Sequence, residues 1–370
     1  MKLNIRGNLL YFALKIIKKF DKRQTDLKYF NPEKVKSILI VSSTAIGDTL
    51  MSTPAIRAVR ERYPEAKIIG HFNIKNMELF ENNPHIDGII PYYGGWKKFF
   101  KTVKEFRKHK FDVALILHGN EPQATPMAYL GGAKFILKVP NMNKFRFLLS
   151  NSNKIYRWED FSHGVKARLK SAELIDCKIT DNRMILPLLP EGEVFINDFL
   201  KRNNIQQSDK IIGFQVGAST VSRMWFPEKF VELGKRLVSL DEKIKIIITG
   251  SPKEFDYCKK IANGIGEKVV VSAGQIPLKY ISSLVKKFLC LVTGDTGIMH
   301  VAVAVGTPVV GLFIVSNPKI SGPYYDLEKH FIIKKDTTCN PCLSKKCKHQ
   351  KCMDNISVDE VFEGIKEVIK

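Results

Sequence analysis

A chain of 370 residues has room for about two domains, and 44% hydrophobic with 26% charged residues is the balance of an ordinary globular protein, not of a disordered or fibrous one. Lys and Arg number 59 against 37 Asp and Glu, a formal net charge of +22, so the natural partners are anionic: phosphorylated small molecules, a lipid surface or nucleic acid. No apolar run reaches the roughly 18–20 residues that span a bilayer.

Residues 1–36 hold ten Lys or Arg and three Asp or Glu. The stretch resembles a secretory leader, but its apolar run LLYFAL is interrupted by Lys15 and no small-residue cleavage site follows. It is read as retained, and the protein as cytoplasmic. Leu10, Ala13, Leu14 and Ile17 follow helical spacing with Lys15, Lys18, Lys19 and Lys22 around them. Two readings fit: a basic amphipathic helix lying on anionic lipid at the inner membrane, or a surface helix docked on the domain.

From Lys36 onward short apolar runs alternate with helical patterns. Strands are expected at KSILIV, AKIIGHF, DGIIPY, FDVALIL and AKFIL, with helices between them. Such alternation predicts a parallel sheet covered on both faces. In the helix expected over 96–110, Trp96, Phe99, Phe100 and Val103 form an apolar stripe, and seven basic residues decorate the remainder. The pattern lapses around 178–208, where the join between domains is placed. The alternation then resumes with KIIGFQV, KIKIIIT, KVVVSA, FLCLVT and PVVGLF. Two such halves would present ligands to the carboxyl ends of their strands. No strict G-x-G-x-x-G follows a strand, which disfavours a dinucleotide redox enzyme.

Four strand-end corners carry polar chemistry. SSTAIGDTLMSTPA puts Gly47 and Asp48 where the first strand hands over to a helix, with Ser43 and Thr49 beside them. A carboxylate there can serve as a base or merely cap a turn. QVGASTVSRMWFPEKF offers Gly217, Ser219 and Thr220 for close backbone and hydroxyl approach, and Arg223 as a fork of donors suited to diphosphate. ITGSPKEF places Glu254 after a strand, where a carboxylate often receives ribose hydroxyls. VTGDTGIMHVAVAVGTP has Asp295 leaving a strand, Thr296 and Gly297 opening a helix whose first N–H groups favour an anion, and His300 one turn in.

Together these corners resemble glycosyltransferase family 9, the ADP-heptose:lipopolysaccharide heptosyltransferases. The resemblance rests on SSTAIGDTLMSTPAIRAVRERYP, GASTVSRMWFPEKFVELGKRL, TGDTGIMHVAVAVGTPVVGLF and the GPYY run at 322–325, and covers the chain from about residue 36. It implies an α/β fold of the GT-B type: two Rossmann-like domains facing across a cleft, acceptor on the first and nucleotide sugar on the second. The domains would be 36–190 and 205–356, preceded by a basic extension at 1–35 and followed by a helix at 357–370 that crosses back. It further implies an inverting reaction without a catalytic metal or other cofactor. Asp48 would be the base, with Ser43, Gly47 and Thr49 on the acceptor side. Gly217, Ser219, Thr220, Arg223, Glu254, Asp295, Thr296, Gly297 and His300 would hold the nucleotide-diphosphate sugar. Arg223 stands where the family often has lysine. The acceptor would be a glycolipid of the lipopolysaccharide type.

Downstream, CNPCLSKKCKHQKC packs Cys339, Cys342, Cys347 and Cys352 into fourteen residues. The spacing suits a structural zinc, resembles iron–sulfur ligation loosely, and leaves free or disulfide-bonded thiols open. Two other functions compete with sugar transfer. A nucleotide-sugar 2-epimerase shares the architecture but needs several acids and a histidine converging on the sugar. A non-catalytic polyanion binder would follow from charge alone, yet no RNA-binding aromatic motif is present and nucleic acid is not the expected partner.

Overall fold

The alternation of β-branched runs and amphipathic stretches folds as two all-parallel sheets in the computed structural model, which describes residues 4–339, 342 and 347–370. The chain divides into units Met1–Met184 and Ile185–Lys370.

In the first unit, strands β1 (Ser37–Ser42), β2 (Lys67–Asn73), β3 (Gly88–Tyr92), β4 (Val113–His118) and β5 (Phe135–Lys138) lie in the order β3-β2-β1-β4-β5. Its helices are α1 (Ile5–Phe20), α2 (Ile46–Leu50), α3 (Thr53–Arg62), α4 (Phe99–His109), α5 (Ala124–Leu130) and α6 (Gly164–Glu173). Central β1 is sealed on both faces, Ile38, Leu39, Ile40 and Val41 being at most 1% exposed. That explains why it reads as an unbroken apolar run. Because the chain builds β2 and β3 on one side of β1 and then crosses to β4 on the other, the carboxyl ends of β1 and β4 form the topological switch point.

Helix α1 is present and docks on this unit. Leu14 is fully buried, and the Tyr11 ring meets Phe145 and Phe147 edge-on at 5.9 and 5.6 Å. Beyond its end, Asp21 accepts from Arg23 Nε at 2.9 Å and from Tyr129 Oη at 2.8 Å, fastening the chain to α5. Of the expected stripes, three members face outward, exposed Ala13 among them. Ile17 is 47% exposed, and Phe100 on α4 is 78% exposed, because α4 buries Phe99, Thr102, Val103 and Phe106 instead.

The second unit has β6 (Lys210–Gln215), β7 (Ile244–Thr249), β8 (Val269–Val271), β9 (Cys290–Gly294), β10 (Val309–Phe313) and β11 (His330–Lys334) in the order β11-β10-β9-β6-β7-β8. The accompanying helices are α7 (Pro190–Arg202), α8 (Pro227–Leu240), α9 (Phe255–Ile265), α10 (Ile281–Lys286), α11 (Gly297–Val305), α12 (Pro318–Ser321) and α13 (Val358–Val368). Edge strand β11 is absent from the sequence expectation; it is five residues long and only Ile333 is fully buried, so its pattern is weak. The switch point here lies between β6 and β9. The apolar face of the last helix, α13, with Val358, Val361 and Ile365, lies in the core of this second unit. No described helix is long and apolar enough to cross a membrane.

Candidate active site

In the first unit, Asp48 stands in the first turn of α2, directly after the end of β1. Its carboxylate is gripped from two directions. Arg168 Nη2 donates to Oδ1 at 3.1 Å, and Thr44 Oγ1 donates to Oδ2 at 2.9 Å. The Asp48 side chain remains 26% exposed, so it is open to solvent. Arg168 comes from α6, whose start is capped by His163 Nδ1 accepting from Val165 N–H at 3.1 Å. The guanidinium is buried, and its other donors reach Ser52 Oγ at 3.1 Å and the Gly164 carbonyl at 2.8 Å. A buried cation needs hydrogen-bonding partners of this kind.

His118 completes the corner from the end of β4. The β1–β4 register slips between Val41 and Ser42, so that Ser42 pairs with His118 and Leu117 is skipped. Bulges of this kind re-aim a side chain at a strand end. Here His118 Nε2 lies 3.5 Å from Asp48 Oδ1, and Nδ1 lies 2.6 Å from Thr44 Oγ1. Thr44 has one hydroxyl proton; when it goes to Asp48, the imidazole hydrogen sits on Nδ1 and is donated to Thr44. Burial pushes the His118 pKa down to about 4; Asp48 opposes the shift, while Arg168 and Lys138 reinforce it. The ring is therefore neutral at pH 7.

Ser43, Gly47 and Thr49 are buried beneath this corner. The Thr49 hydroxyl donates to the carbonyls of Ser42 at 3.0 Å and Ala45 at 3.2 Å, so it shapes the turn. A cavity of about 880 Å³ opens beside His118, lined also by Glu121, Lys138, Met142, Arg157 and Trp158.

In the second unit, the loop after β6 carries Gly217, Ser219, Thr220 and Arg223 to the switch point. Arg223 Nη1 lies 3.5 Å from Asp295 Oδ2, which leaves β9 on the other side of that point. Neighbouring atoms come close to two glycines of this site. A Cβ on Gly294 would meet the Arg223 carbonyl at 2.7 Å, and one on Gly217 would meet Glu254 Oε1 at 1.8 Å. Glu254 Oε2 closes a capping box on Ser251, accepting its N–H and Oγ at 2.7 Å each, and this holds Oε1 over Gly217. Buried Gln215 braces the same loop, donating to the Gly217 carbonyl at 3.0 Å and accepting from Thr249 Oγ1 at 2.7 Å. Thr296 is the N-cap of α11, with its hydroxyl 3.0 Å from Thr293 Oγ1. Gly297 opens that helix. His300 is only 4% exposed, turned into the interior one turn further on.

The Arg223 loop is anchored from residues 350–356. Buried Trp225 donates Nε1–H to the Ile356 carbonyl at 3.1 Å, Gln350 Nε2 donates to the Met224 carbonyl at 2.9 Å, and Lys229 Nζ donates to the Asp354 carbonyl at 2.7 Å.

Residues 100–353, well over half of the chain, match glycosyltransferase family 9 (heptosyltransferase). The chain belongs to glycosyltransferase family 9. This family 9 glycosyltransferase is 24% identical over 300 residues to a lipopolysaccharide core heptosyltransferase of Haemophilus influenzae, covering 80% of this chain and 84% of that one. It is 24% identical over 349 residues to lipooligosaccharide heptosyltransferase 2 of Campylobacter jejuni, covering 90% and 98%. Among solved structures, the family 9 glycosyltransferase of Veillonella parvula superposes with a TM-score of 0.75 at 21% identity, covering 90% of this chain and 97% of that one. The Escherichia coli ADP-heptose lipopolysaccharide heptosyltransferase II gives 0.73 at 20% identity, covering 90% and 98%. These likenesses establish the GT-B type of fold.

The four cysteines read as a possible metal site follow β11 in the chain, at positions 339, 342, 347 and 352. Among the described residues no three Cys, His, Asp or Glu side chains come close enough to hold a metal ion. All seven cysteines are free thiols. Cys352 is buried, with Thr338 Oγ1 at 3.1 Å from its sulfur, while Cys339 and Cys342 are exposed. Thr44, His118, Arg168 and Gln215 are the site residues that sequence reasoning passes over. Each is held by contacts across more than thirty positions or sits in a stretch with no motif. The one local signal is Arg168 on the buried face of a helical pattern, GVKARLKSAE.

Proposed function

We propose that this glycosyltransferase moves a heptosyl group from ADP-heptose to a hydroxyl of a lipopolysaccharide-core acceptor, with inversion and without a catalytic metal. The observation that carries this reading is the Asp48 carboxylate, fixed by Arg168 and Thr44 at the first switch point and still open to solvent. A sugar hydroxyl is a poor nucleophile at neutral pH, and a carboxylate within about 3 Å accelerates its attack by roughly 10²–10⁴-fold. The acceptor oxygen bonds to the anomeric carbon, its proton passes to Asp48, and the bond from that carbon to the diphosphate oxygen breaks. ADP leaves with the bonding electrons. Attack from the face opposite the leaving group gives inversion.

The second unit supplies the donor grip. Glu254 Oε1 receives ribose hydroxyls, while Arg223 and the first N–H groups of α11 meet the charge growing on the diphosphate. The absence of a D-x-D motif from the sequence supports a scheme in which protein donors take this part. The donor's diphosphate competes with Asp295 for Arg223. Relatives named for lipopolysaccharide and lipooligosaccharide support the acceptor class, and the proposal places the enzyme's work at the cytoplasmic face of the inner membrane. Incubation with ADP-heptose and a truncated lipopolysaccharide acceptor tests the reading. ADP should appear only when both are present; release that ignores the acceptor, or none with both, overturns it.

A further inference from the structure

Helix α1 has two apolar faces, and only one is used by the fold. Leu14 and Gly7 are buried against the first unit. On the other side Ile5, Leu9, Phe12, Ile16 and Phe20 are 81, 66, 62, 60 and 79% exposed. At the helical repeat these five fall within about 80° of one another, some 160° round from Leu14. An aliphatic and aromatic stripe running the length of a helix, opposite its docked face, is larger than the scattered exposed residues of ordinary surfaces.

What borders the stripe identifies what covers it. The helix has four basic residues and no acid. Exposed Lys15 and Lys19 lie along one side of the stripe and Arg6 along the other. At its Phe20 end a groove of about 580 Å³ is lined by Ile16, Ile17, Phe20 and Arg107 of α4. Beside Arg107, α4 exposes Lys101, Lys104 and Lys108. A second copy of the chain laid on this stripe would set lysine against lysine. An anionic headgroup layer complements the rim while its acyl chains take up the stripe. Sixteen residues are about 24 Å of helix, and α1 is anchored at its Asp21 end to Arg23 and Tyr129, so it lies along a surface.

We propose that the outward stripe of α1, with its basic rim and the exposed lysines of α4, docks the enzyme on an anionic bilayer surface. The inference uses neither Asp48 nor the donor loop, so it fails or stands apart from the transfer reaction. The test is flotation of the full chain with vesicles of phosphatidylcholine alone or with roughly one-third phosphatidylglycerol. The wild type should float with the anionic vesicles and not with the neutral ones, and should be released by high salt. Combined Leu9→Gln, Phe12→Gln and Ile16→Gln should reduce flotation by at least about tenfold, with the melting temperature and the affinity for ADP unchanged. Four results would overturn the proposal: no flotation of the wild type, equal flotation with neutral vesicles, undiminished flotation of the triple variant, or a wild-type dimer that the triple variant dissolves.

Discussion

Asp48 and Arg168 cannot be judged apart, since the guanidinium is buried and Asp48 is its only carboxylate among the contacts described above. Asp48→Ala therefore has two consequences: loss of the proton acceptor, and a stranded buried charge that costs about 3–5 kcal/mol. Asp48→Asn keeps an oxygen for Arg168 and removes only the basicity. We expect Asp48→Asn to lower kcat by at least about 10²-fold while the urea midpoint falls less than for Asp48→Ala. Equal losses of stability in the two variants would mean that Arg168 does not depend on this partner. His118 has a different signature. With its pKa pushed down to about 4 by burial, it stays neutral through the working range. A profile of kcat/KM against pH should show no limb near 6.5 from this imidazole. A limb there that vanishes in His118→Gln would overturn the assignment.

At the scale of elements, the strands were legible because burial on both faces writes them as continuous Ile, Leu and Val runs. The corners were legible because Gly47, Asp48, Gly217 and Asp295 interrupt those runs abruptly. What stayed hidden was relational. Nothing local to FDVALILH announces a bulge at Leu117, since the slip exists only against β1. Nothing in the α4 pattern separates Phe100 from Phe99; helical rotation alone decides which is buried. The stripe read on α1 captured its docked side through Leu10 and Leu14 and left the exposed one unread, because two apolar stripes overlap in one short sequence. The Arg223 loop is the element where geometry can be tested. Arg223→Ala should weaken ADP binding by about tenfold or more, as loss of a charge-assisted contact does. Isothermal titration reads this directly, and unchanged affinity removes Arg223 from the diphosphate site.

For the molecule as a whole, acid sensitivity follows from imidazoles buried in neutral form. His71 is fully buried, donating Nδ1–H to the Ile90 carbonyl at 2.8 Å and packed edge-on against Tyr92 and Phe106. Burial pushes it down to about 4, partly opposed by that carbonyl. Unfolded, the ring titrates near 6.5, so the unfolded chain binds the extra proton first as pH falls. The contribution of His71 is complete above pH 6.5 and shrinks toward pH 4, amounting to about 2 kcal/mol lost between pH 8 and 5. Urea unfolding at those two pH values should show the loss, and His71→Leu should flatten the difference. The two-unit α/β organisation was legible from alternation alone, whereas placing Trp225 against Ile356 required the folded chain. That last contact matters to anyone building hybrids of such enzymes. A graft taken as the sugar-nucleotide motifs alone, ending soon after the GPYY run, would import Arg223 without the splint of residues 350–356 that sets its loop. A transplant that keeps the Arg223 loop in shape therefore has to run at least through Ile356.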